Sequence, residues 1–143
     1  MPTVSFTIPM IPAGQGRPRT ASRGKFVTVY KATADRANEG NIAFFAAQYR
    51  PESPITGPVT LSFVAVMPRT AELSRVSKKT GLPLADVGRL PHAKVPDLDN
   101  LAKAANDALK SWWIDDRQVC DLHGKKVIAA FGEQPHWEVT VSW

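Results

Sequence analysis

Apolar and polar residues alternate along this chain in short runs that give way to helical spacing and then return. In the first run, Thr3 to Ile8, Val4, Phe6 and Ile8 share one side, the mark of a strand with one buried face, and Pro9 and Pro12 end it. A loop rich in glycine, arginine and serine follows over residues 13–25, and Phe26 to Tyr30 predicts a short strand. Residues 31–49 predict a helix through Ala34, Ala37, Ile42, Phe45, Ala46 and Tyr49, with Gly40 as its weak point. Pro51, Pro54 and Pro58 mark a turn. Val59 to Met67 alternates again and is rich in β-branched residues, which predicts a strand. Pro68 to Pro96 has no sustained period, and only its middle, Glu72 to Lys79, predicts a short helix. The strongest helical pattern covers residues 97–112, where Leu98, Leu101, Ala105, Ala108 and Trp112 form one stripe and Asp97 stands at the N-cap position after Pro96. Gln118 to Phe131 predicts a strand bent near Gly124, and His136 to Trp143 alternates once more. The order β-α-β-α-β-β predicts an α+β fold: a two-layer sandwich with a mostly antiparallel sheet and helices on one face.

Composition narrows this picture. The 143 residues suit a single domain, 1–143, and 43% hydrophobic with 22% charged residues excludes disordered and fibrous classes. The single cysteine, Cys120, excludes an intrachain disulfide framework and a cysteine-based zinc site, and its place in a predicted strand reads as a buried structural thiol. The first twelve residues lack a basic segment and a long apolar core, so neither a secretory signal nor a membrane span is predicted, and a reducing, cytoplasmic setting is expected.

Charge is unevenly placed. Residues 1–96 hold 13 basic and 5 acidic residues, whereas residues 97–143 hold 5 basic and 8 acidic. The basic part concentrates in the loops 17–36 and 69–94 and is suited to a polyanionic partner such as nucleic acid; uneven surface charge without a partner is the plainer alternative.

Candidate chemistry is acidic. The sequence has no serine nucleophile elbow and no phosphate-binding glycine loop, and His92, His123 and His136 have no metal-ligand spacing. Asp97 and Asp99 flank Leu98 at the mouth of a predicted helix, and Asp115 and Asp116 follow that helix. A helix of this length spans roughly 20 Å. The two pairs can therefore meet only if the chain folds back. If they meet, their repulsion calls for a cation, and hard oxygen ligands suit Mg²⁺ or Mn²⁺, the usual arrangement for phosphodiester hydrolysis. Lys103, one turn after Asp99, is placed to stabilise a phosphate. The structural alternative is that Asp97 is a helix cap, Asp99 and Lys103 a surface pair, and Asp115 and Asp116 turn residues.

The run Pro96-Asp97-Leu98-Asp99-Asn100-Leu101, then Lys103, Asp107-Ala108-Leu109 and Asp115-Asp116-Arg117-Gln118-Val119, resembles the RusA family of Holliday junction resolvases. The resemblance implies a homodimeric, Mg²⁺-dependent endonuclease, with Mn²⁺ as a substitute, that cuts four-way DNA junctions symmetrically and uses no organic cofactor. It implies metal binding by Asp97, Asp99 and Asp116, with Asp115 as the adjacent acid, and a catalytic lysine at Lys103. Arg17, Arg19, Arg23 and Lys25 fall in the loop that approaches DNA in the family, and Lys94 precedes the motif where some members carry arginines. A junction-binding protein without catalysis is the rival reading.

Overall fold

The computed structural model describes residues 1–16, 19–30 and 33–143, and within 19–30 the side chains of Ser22, Gly24, Lys25 and Val27. The candidate DNA contact Arg17, and the side chains of Arg19 and Arg23, lie outside the described residues.

Five strands form one sheet: β1 (Thr3–Ile8), β4 (Val59–Met67), β5 (Leu90–Pro91), β6 (Val119–Ile128) and β7 (His136–Ser142), in the order β1-β7-β4-β6-β5. A separate hairpin comprises β2 (Arg19–Arg23) and β3 (Phe26–Tyr30). Pairing is antiparallel except between β4 and β6, which run parallel and are joined by a crossover containing helix α2 (Leu98–Ala108). Helix α1 (Thr33–Ala46) packs on α2.

Alternation decides which face is covered. Val59, Leu61, Phe63, Ala65 and Met67 of β4 and Trp137, Val139 and Val141 of β7 point to the buried side, where they meet Ile42 and Ala46 of α1 and Leu101, Ala104, Ala105 and Ala108 of α2. Each large apolar side chain buried there contributes on the order of 1.5–3 kcal/mol. The opposite face carries Ser5, Thr60, Ser62 and Thr140 and is only partly covered, as expected of a sheet with one wet side. The predicted fold class therefore holds, with helices on one face of a mostly antiparallel sheet.

Four local expectations change. Residues 19–23 form a strand where a loop was expected: Arg23 pairs with Phe26 across a two-residue turn in which Gly24 has φ +63°. Glu72–Lys79 is not helical. A single turn over Thr70–Arg75 gives way to a finger in which Val76 bridges Pro83 and the Ser77 hydroxyl accepts from the amides of Lys79 and Thr80, which ends any helical ladder. The strand predicted to bend at Gly124 runs unbroken from Val119 to Ile128. Glycine serves there for close approach, because a Cβ would lie 2.6 Å from Phe63 Cζ. Finally, Cys120 is exposed, not buried. The β4–β6 register shifts between Val59 and Thr60, so that Val119 and Asp121 find partners and Cys120 is the extra residue of a bulge.

Candidate active site

Between α2 and the first half of β6 lies an open groove of about 940 Å³, lined by Leu98, Asp99, Ala102, Lys103, Asp107, Asp116, Cys120 and Asp121 among others. The crossover thus returns the chain so that Asp116, preceding β6, shares a groove with Asp99 in the first turn of α2. Asp97 and Asp115 are not among the lining residues.

Each acid has a distinct local setting. Asp97 occupies the N-cap position of α2 but makes no side-chain cap hydrogen bond. Among the described residues neither Asp97 nor Asp99 is ion-paired, because Lys103 turns forward to Asp107 at 3.4 Å and not back to Asp99. Asp116 Oδ1 accepts weakly from Trp113 Nε1 at 3.4 Å, and its side chain is otherwise exposed. Asp115 is committed elsewhere. Its carboxylate accepts from the backbone amide and the guanidinium of Arg117, and the Arg117 bonds hold its pKa below the usual carboxylate value.

The turn that presents Asp116 is built by Gln118. Its Oε1 accepts from the amides of Ile114 and Asp115 at 2.8 and 2.7 Å, and its Nε2 donates to the carbonyls of Ile55 and Gly57 at 2.8 and 2.9 Å. This glutamine lies within the motif quoted above; its capping box with Asp115 is local, whereas its bonds to the 55–57 segment exist only in the folded chain.

The other end of the motif moors the N-terminal loop. A Cβ on Gly14 would lie 3.0 Å from the Cβ atoms of both Pro96 and Asn100, and the Gln15 amide donates to the Asn100 carbonyl at 3.0 Å. Gln15 is buried and donates through Nε2 to Asp107 Oδ2, while Asn38 of α1 donates to the Ala13 carbonyl. The hairpin bearing Arg19, Arg23 and Lys25 therefore starts a few residues from a fixed point on the helix that carries Asp99 and Lys103. Lys25 and Lys94 are both exposed.

Sequence reasoning missed a second charged cluster. Glu133, His136 and Glu138 bring three metal-competent side chains within 4.8 Å of one another. Arg89 occupies both carboxylates, at 2.7 Å to Glu133 and 2.6 Å to Glu138. The Arg89 bonds pull the Glu133 pKa down to about 2 and lower that of Glu138. Both ring nitrogens of His136 face acceptors, the Gln134 carbonyl and Glu138, each at 2.8 Å. Burial opposes charge on the ring, but these acceptors prevail and raise its pKa. His136 and Glu138 are two apart on one strand face and Glu133 sits in the turn before them, whereas Arg89, which ties the two carboxylates together, arrives from 44 positions away and no local spacing announces it.

Aspartates free of ion pairs among the described residues and a lysine, gathered in one groove, make a site suited to phosphodiester chemistry. The family comparison agrees: a model of the endodeoxyribonuclease RusA family matches residues 9–142, and the chain belongs to that family of nucleases acting on DNA. It is also 34% identical over 142 residues to the uncharacterized protein YqaN of Bacillus subtilis (strain 168), covering 99% of this chain and 96% of that protein. No helix among the described residues is long and apolar enough to cross a membrane.

Proposed function

We propose that this chain is a Mg²⁺-dependent endonuclease, with Mn²⁺ as a substitute, that resolves four-way DNA junctions by symmetric cleavage as a homodimer in the cytoplasm, in DNA recombination and repair. The observation that supports this reading best is the shared groove of Asp99, Lys103 and Asp116, whose two aspartates come from the first turn of α2 and from the turn before β6. Carboxylate donors without histidine fit a hard divalent cation. Asp97, Asp99 and Asp116 would hold such a cation, which would supply Lewis acidity and charge neutralisation at the scissile phosphate. Among the described residues the carboxylates of Asp97 and Asp99 make no ion pair, and these would provide its ligands. Lys103 steadies a phosphate oxygen, and Asp107, at 3.4 Å from its ammonium, keeps that side chain over the groove. Arg17, Arg19, Arg23, Lys25 and Lys94 grip the sugar-phosphate backbone, as do Arg75, Lys78 and Lys79 on the finger after β4.

The deciding experiment compares wild type with Asp99→Asn on a labelled four-way junction with and without Mg²⁺. Wild type cuts only with the metal, while D99N binds the junction with unchanged affinity and leaves it intact. Binding without cleavage by wild type would establish the non-catalytic junction binder instead. Cleavage retained in D99N, with only a lowered melting temperature, would return Asp99 to a helix-stabilising role.

A further inference from the structure

The segment that leads into the first aspartate is held by a residue the motif does not include. After Pro91 the chain leaves the edge of β6, and residues 93–96 make no backbone–backbone hydrogen bond with other described residues. They run as a strap from the sheet edge to Asp97. Lys126 of β6 meets this strap: its ammonium donates to the Pro96 carbonyl at 2.7 Å and to the Lys94 carbonyl. The Lys126 side chain is only partly exposed, and the neighbouring charges, Lys94 and His92, offer it no anionic partner. Among the described residues it makes no ion pair, so its bonds go to the strap.

The consequence follows from peptide geometry. The Pro96 carbonyl and the Asp97 amide belong to one planar group. Fixing that oxygen fixes the plane from which the Asp97 side chain projects, and the Lys94 bond fixes the strap two residues earlier. Asp97 itself has no cap bond to orient it. We infer that Lys126 is a positioning residue for metal binding: it aims Asp97 by clamping the carbonyls of Lys94 and Pro96, without touching substrate. The inference rests on the metal-dependent nuclease reading above.

The test uses the full chain and Mn²⁺ alone as probe. Isothermal titration compares wild type, Lys126→Met and Lys126→Arg, followed by cleavage across a Mg²⁺ series and junction binding in EDTA. Loss of an orienting partner of a metal ligand weakens metal affinity by about 10- to 100-fold. K126M is expected to bind Mn²⁺ at least about 10-fold more weakly, to lose cleavage at low Mg²⁺ and regain it at high Mg²⁺, and to bind the junction in EDTA as wild type does. K126R, which keeps donors at the strap, stays close to wild type. Unchanged Mn²⁺ affinity in K126M overturns the inference, as does a loss confined to junction affinity, which would make Lys126 a DNA contact. Should K126M fail to fold, Lys126→Gln is judged by the same criteria. If wild type itself neither binds Mn²⁺ nor cuts, the nuclease reading fails and this inference with it; if wild type does both and K126M matches it, the positioning role alone fails.

Discussion

Two groups of acids lie on opposite sides of one sheet, and only one of them is matched by a cation of the described chain. On the open face, Glu133 and Glu138 share the guanidinium of Arg89, and His136 completes the network. Every strong acceptor there is already served by a cation of the chain itself. On the helical face, Asp99 and Asp116 enter a groove whose described lining includes no arginine, and the nearby lysine pairs with Asp107. The first cluster has the tighter geometry by metal-ligand distance, yet a cation entering it must displace Arg89. The second has looser spacing but carboxylates for which no ion-pair partner exists among the described residues. Proximity of acids therefore does not identify a site; what matters is whether the protein has already supplied the counter-charge.

This contrast can be broken by experiment, most sharply at the groove. Asp116→Asn should lower single-turnover junction cleavage by on the order of 10²–10³-fold, the scale of losing one electrostatic stabiliser of a transition state, with little change in urea stability. Arg89→Ala should do the reverse. It strands two carboxylates and should cost about 1–3 kcal/mol in urea unfolding, toward the lower end because all three side chains are partly solvated, while cleavage by the folded protein persists. If R89A instead creates a Mn²⁺ site detectable by titration, the guanidinium was the only barrier to metal on that face.

Smaller effects sharpen the comparison. Replacing Arg75, Lys78 and Lys79 by alanine should reduce the slope of log affinity against log salt by about 2–3, roughly 0.9 per lost phosphate contact, with cleavage at saturating junction unaltered. The pH dependence of stability should separate the cluster's members. Glu133 has a folded pKa near 2, below its usual 4.5, so its contribution is complete above the usual value and is lost as pH falls through the folded one. His136, whose pKa is raised, contributes fully below 6.5 and loses that contribution as pH rises through its folded value. Melting curves from pH 2 to 8 should show the acid limb flatten in R89A and the upper limb flatten in His136→Gln.

The legible parts of the fold are those with local repeats. Val4, Phe6 and Ile8, the alternation of β4 and β7, and the Leu101–Ala105–Ala108 stripe each encode a face through the period of strand or helix. The strand Arg19–Arg23 was invisible because Arg-Thr-Ala-Ser-Arg has no apolar alternation; its partner and a glycine turn make it a strand. The finger after β4 departs from its helical pattern because helix-compatible residues there are outcompeted by the Ser77 hydroxyl and the Val76–Pro83 bridge.

At the site, spacing alone determined that Asp99 and Lys103 lie one turn apart on a helix that Asp97 precedes, since 3.6 residues per turn leaves little freedom. Spacing also tied Asp115 and Asp116 to a turn after that helix. Tertiary structure decided the rest: the parallel crossover that brings Asp116 to the groove of Asp99, the division of labour that leaves Asp115 to Arg117, and the bonds from Gln118 to Ile55 and Gly57 and from Lys126 to Lys94 and Pro96. Apart from the Asp115–Arg117 pair, which spans a single turn, those relations join residues well separated along the chain. They follow from how the sheet and α2 bury their apolar faces together, and no local pattern of residues carries that information.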